Sequence, residues 1–220
     1  MPTPAPLLEQ LAELSELLGR MCTAAARALN HATAALLESR ERLAVQVIKG
    51  DSEIDSLRAQ VEELAGDALL FHHPVAGDLR AAVSAIRAAG DIERMGDLAL
   101  HVADVVRMRH PAAALPPEIH PAFAEMGRVA VQLALKAADV VRSRNVLLAA
   151  ELDSDDDAMD VLHRKMFEVL MDDSWPHGVR AAVDVTLLAR FYERFADHAV
   201  VVARETIYAV TGQEPDALPI

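Results

Sequence analysis

Four acidic pairs recur along the chain with i, i+4 spacing: Asp51 with Asp55, Glu93 with Asp97, Asp156 with Asp160, and Glu193 with Asp197. On a helix, residues four apart share a face. Like charges so placed cost a helix roughly 0.2–0.5 kcal/mol per pair, so a chain that repeats them calls for compensation. A divalent or trivalent cation would supply it, because hard cations prefer carboxylate oxygens. Arginine would also supply it. Arg94 stands three residues before Asp97, Arg190 three before Glu193, and Arg194 three before Asp197. Asp51 and Asp156 also stand where helices are expected to begin, so N-capping and dipole compensation compete there. His101 lies one turn after Asp97, and His198 follows Asp197 directly. Either could join a cation site, although a surface histidine is the commoner case.

Enzymatic chemistry has less to work with. Di-iron carboxylate bundles use Glu-x-x-His pairs, and none occurs here; Asp160-x-x-His163 is a solitary approach to one. No Gly-rich phosphate loop, nucleophilic triad or reactive cysteine pattern is present. The expectation is a protein with no catalytic residues that is not an enzyme.

The carboxylates need helices to carry them. Pro and Gly break the sequence near Pro74–Gly77, Pro111–Pro121, Pro176–Gly178 and Gly212–Pro215, and helix-compatible sequence fills the rest. Pro2, Pro4 and Pro6 mark a frayed start. The breaks themselves repeat, Pro74 and Pro176 standing 102 residues apart. Leu79–Val83 matches Val179–Val183, and Glu93–Asp97 matches Glu193–Asp197, both at a shift of 100. Asp51, Ile54 and Asp55 match Asp156, Met159 and Asp160 at a shift of 105. An internal duplication accounts for apolar, basic and acidic positions agreeing together.

Heptads agree with it. Ala85, Ala88, Ile92, Met95, Ala99, Val102 and Val106 alternate steps of three and four, as do Val185, Leu188, Tyr192, Phe195, Ala199 and Val202. In that frame Glu93, Asp97, Glu193 and Asp197 point away from the seam and are expected on the exposed surface. The reading is all-α: six helices at roughly 7–49, 52–71, 76–108, 117–150, 155–172 and 178–211, forming two tandem three-helix bundles related by a pseudo-twofold. Short loops make neighbouring helices antiparallel. The first repeat spans 1–110, a Pro-rich linker 111–116, the second repeat 117–212 and a tail 213–220.

Composition sets bounds. The 220 residues carry a net charge of −13 and only three lysines, Lys49, Lys136 and Lys165. Nucleic acid and anionic membranes are therefore poor partners, and cations or basic protein surfaces good ones. The single Cys22 permits no internal disulfide, which fits a reducing compartment. Met1–Pro6 has no basic and apolar leader pattern and no charge-free run of 18 apolar residues occurs, so a cytoplasmic protein that meets membranes only through partners is expected. Trp175 is expected to pack a loop against a bundle end, and His72 and His73 to lie in a loop.

Asp91-Ile92-Glu93-Arg94-Met95-Gly96-Asp97 and Glu193-Arg194-Phe195-Ala196-Asp197-His198-Ala199 resemble the two signature helices of the PhoU family. Pro74–Arg80, Asp51–Asp55 and the closing Glu205–Gly212 are similar to that family too, in the same order. The chain departs from the family pattern at Leu98, His101, Val201 and Arg204. The resemblance implies two three-helix bundles and a negative regulator of phosphate uptake and of the phosphate-starvation response. It implies as partners a phosphate ABC transporter, through its ATPase or associated subunits, and a sensor histidine kinase. It also implies iron, zinc, magnesium or manganese at the acidic motifs in some members, and a homodimer in some. The alternative is an acidic helical metal-binding or adaptor protein with no part in phosphate signalling.

Overall fold

The computed structural model of the chain describes residues 6–213. Pro2 and Pro4 of the start, and 214–220 of the tail, lie outside the described residues. The elements run α1 (Leu7–Glu38), α2 (Glu41–Gly50), α3 (Ser52–His72), α4 (Ala76–Arg109), a 3-10 turn (Pro117–Ile119), α5 (His120–Ser143), α6 (Val146–Leu170) and α7 (Gly178–Thr211). Asp51, between α2 and α3, keeps helical angles (φ −59°, ψ −34°), so these two helices form one bent rod. α6 is its unbroken counterpart in the second half. Each half thus contributes three rods, as the duplication predicts.

The boundaries differ from the sequence reading. The first helix does not run to 49 but breaks at Ser39, and the fourth breaks at Arg144, both left-handed (φ 51° and 54°). Neither break carries Gly or Pro, which is why periodicity passes over them. The predicted gap at 150–155 is absent, and the Asp-rich stretch lies inside α6. The real start of α6 is Asn145, whose side-chain oxygen accepts from the N–H groups of Leu147 and Leu148 at 3.0 and 3.2 Å. Capping at Asp51 and Asp156 therefore falls away: Asp51 makes no side-chain cap and Asp156 is mid-helix.

Every residue of the two long heptad stripes is buried, and the halves share one apolar core. α1 packs on α5 and α4 on α7. Gly127 of α5 lets α1 approach closely, since a Cβ there would sit 2.7 Å from the Thr33 methyl. Thr33 donates to the Leu29 carbonyl, leaving its oxygen to accept from the Tyr192 phenol at 2.8 Å. Burial raises the Tyr192 phenol above its ordinary range.

α4 and α7 run antiparallel: Arg87 meets Glu205, Asp91 meets His198, and Arg109 meets Asp184. The last contact is two-pronged, with Arg109 Nε and Nη2 donating to the Asp184 oxygens at 2.6 and 2.7 Å, and Asp184 is only 6% exposed. Ser84 holds the equivalent position at the other end of the pair. There Ser15, Ser84, Arg144, Glu205 and Thr206 line a cavity of about 40 Å³. Ser84 Oγ and Glu205 Oε2 find no hydrogen-bond partner there. Cys22 is fully buried, which pushes its thiol up to about 12. Trp175 packs on the core and its indole N–H donates to the Gly178 carbonyl at 3.1 Å. Among the described residues no helix is long and apolar enough to cross a membrane.

Candidate functional site: two carboxylate clusters

The fold gathers the four acidic pairs into two groups, one per half. Asp51 and Asp55 on the middle rod face Glu93 and Asp97 on α4; partial burial first, and then Asp55, Asp97 and Glu93, raise the Asp51 pKa. Gly96 permits the approach, a Cβ there falling 3.3 Å from Asp51 Oδ1 and 2.8 Å from the Ile54 side chain. Asp156 and Asp160 on α6 likewise face Glu193 and Asp197 on α7.

The expected exposure of these acids needs correction. Asp197 is exposed, but the side chains of Glu93 and Glu193 are 18% and 12% exposed, and Asp51 and Asp156 are half-buried. A single heptad seam describes one packed face. In a three-rod bundle each long helix meets two neighbours, so the flank carrying Glu93 or Glu193 is covered by the middle rod.

The two clusters are neutralised differently. In the first, Arg58 reaches Glu93 at 3.2 Å and Arg94 holds Asp97 at 2.9 Å. The shift of 105 places His163 in the second half where Arg58 stands in the first. His163 Nδ1 lies 4.0 Å from Glu193, and Arg190 pairs with the same carboxylate. Burial and then the Arg190 charge lower the His163 pKa, so the imidazole is held neutral. With less positive charge at hand, desolvation and the neighbouring Asp197, Asp160 and Glu193 push Asp156 up to about 7. Glu193 is raised as well, chiefly by desolvation and Asp197. The arginine expected to serve Asp197, Arg194, makes no ion pair with it. Arg204 instead takes Asp153 at 2.7 Å, and Lys136 bridges Glu151 and Asp155 at 2.6 and 2.7 Å.

The second cluster keeps uncompensated donors. Asp156 Oδ1, Glu193 Oε2 and His163 Nε2 are buried without hydrogen-bond partners among the described residues, and two carboxylate oxygens with an imidazole are the donor types a divalent ion takes. Among the described residues no three such donors converge into a metal-binding group. In the first cluster guanidinium groups occupy the compensating role. His101 stacks on Phe191 and His198 hydrogen-bonds Asp91 at 2.9 Å, so neither joins a cluster. Sequence reasoning passed over His163 as a cluster member, although aligning the repeats would have set it against Arg58.

Comparison with known proteins bears on the fold and the family. The PhoU domain model matches residues 18–106 and again 123–206. The chain is 58% identical over 94% of its length to the phosphate-specific transport system accessory protein PhoU homolog 2 of Mycobacterium tuberculosis, covering 97% of that protein. It is 56% identical to PhoU homolog 1 of Mycobacterium leprae, covering 94% of each chain. The crystal structure of PhoU from Pseudomonas aeruginosa shares the fold with a TM-score of 0.84 at 24% identity, over 94% of this chain and all of that one. A doubled domain match with full-length relatives on both sequence and fold places this chain in the PhoU family.

Proposed function

We propose that the protein is a non-catalytic, cytoplasmic negative regulator of phosphate uptake that couples a phosphate ABC transporter to a sensor histidine kinase of the phosphate-starvation response. The observation that carries this reading is the near full-length likeness to a phosphate-specific transport accessory protein. The physical character of the chain supports it. An acidic surface around helical carboxylate clusters offers a docking face for a basic surface on transporter or kinase. Iron, zinc, magnesium or manganese would bind at the second cluster through Asp156, Glu193 and His163, and would neutralise it.

The test is a deletion strain lacking this gene and any paralogue. An alkaline phosphatase reporter should become active in phosphate-rich medium, and a reporter that stays silent rejects the regulatory role. Pull-downs with the Asp55→Lys, Asp160→Lys double variant, both exposed positions of the clusters, should recover less transporter ATPase and kinase than wild type, with helicity retained. Undiminished capture rejects the acidic docking face.

A further inference from the structure

A groove of about 490 Å³ runs between α4 and α7, lined by Arg94, Leu98, His101, Phe191, Arg194 and His198. Arg190 and Asp97 complete its walls. Arg94 and Arg194 are the same residue of the duplicated motif, and the antiparallel pairing of α4 and α7 brings both copies to one groove. Basic residues thus converge on a chain whose net charge is −13. Arg94 is tied to Asp97 and Arg190 to Glu193, whereas Arg194 is exposed and makes no ion pair among the described residues. His198 Nδ1 is 2.9 Å from Asp91 Oδ1.

We infer that this groove binds a phosphoryl group, free or esterified, between the guanidinium groups of Arg94 and Arg194. Two guanidiniums from opposite helices match a tetrahedral dianion, whose oxygens diverge; a carboxylate's two coplanar oxygens are satisfied by one guanidinium. The incoming dianion displaces Asp97 from Arg94. The His101 ring stacked on Phe191, with centroids 5.3 Å apart, and Leu98 give the groove an apolar wall beyond the arginines. Its volume exceeds what inorganic phosphate fills, so an ester's organic part has a surface to lie on. The site is independent of the regulatory reading but borders both carboxylate clusters, sharing Arg94 and Asp97 with the first and Arg190 with the second.

Calorimetric titration of the intact protein with inorganic phosphate and, separately, with AMP tests it. Binding of either probe is expected, weakened at least tenfold by Arg194→Gln and by Arg94→Gln, partly kept by Arg194→Lys, and unaltered by Arg180→Gln, which lines a separate groove nearer the start of α7. AMP binding tighter than phosphate assigns the ester; equal affinities assign the bare phosphoryl group; both support the site. Circular dichroism of each variant establishes that it is folded, which the exposure of both arginines favours. Absence of binding by both probes, affinities indifferent to Arg194→Gln and Arg94→Gln, or binding of a glutamate-rich peptide in place of both probes overturns the inference.

Discussion

Asp156 carries the clearest consequence of crowding. Its pKa rises from 3.8 to about 7 on folding, so the native state holds the proton more tightly than the unfolded chain does. The sign follows from linkage: the contribution is full below 3.8 and is lost as pH climbs through 7. Asp156→Asn should therefore melt at a higher temperature than wild type at pH 8, with the advantage gone by about pH 4. Thermal melts across pH measure this, and a constant difference would show that the carboxylate is not strained. A divalent cation should raise the wild-type melting temperature at pH 7.5 and raise it less in a variant with Asp156→Asn and Glu193→Gln. Chelation should reverse the rise. Sequence alone exposed the eight acids and their pairing, because i, i+4 geometry is local. It did not expose their half-buried state or the part played by His163, since both depend on which rod covers which flank.

The helices hold together through a few specific contacts. Removing the Arg109 guanidinium strands a buried carboxylate at Asp184. Arg109→Ala should cost about 1–3 kcal/mol, and Arg109→Leu combined with Asp184→Leu should recover part of it. Denaturant melts of both variants decide the point. Gly127→Val forces α1 off α5 at Thr33, with an expected loss of about 1–3 kcal/mol; an unchanged midpoint would mean that the two helices separate freely. Long, strongly periodic segments such as α4 and α7 were legible because their apolar stripes run for many turns. The breaks at Ser39 and Arg144 were not, because a non-glycine residue in the left-handed region leaves no mark in composition. Asn145 did leave one, standing directly before Val146-Leu147-Leu148, but the acidic run ten residues later looked like the stronger helix start.

The molecule as a whole behaves as one body, although its sequence reads as two. α1 with α5 and α4 with α7 bury the halves against each other in a shared core. A single cooperative transition is expected, with calorimetric and van't Hoff enthalpies in agreement. Two separated transitions would mean that the repeats unfold independently. The duplication was legible from matched motifs, whereas the extent of the shared core was not, because the linker's prolines suggest two separate halves while α1 on α5 and α4 on α7 join them.

The long central pair is fastened unequally. A two-pronged, part-buried clasp, Arg109 on Asp184, locks one extremity, while the other has only the longer Arg87–Glu205 pair at 3.7 Å and a serine in the aspartate's place beside unsatisfied polar atoms. Motion between the halves should therefore resemble a clothes-peg, pivoting at the clasp and gaping near Ser84. Deuterium should enter the amides around Ala82–Ala85 and Val202–Ile207 sooner than those around Val102–Val106 and Asp184–Leu188. A signal that shifts one half against the other would then be read out at that looser jaw.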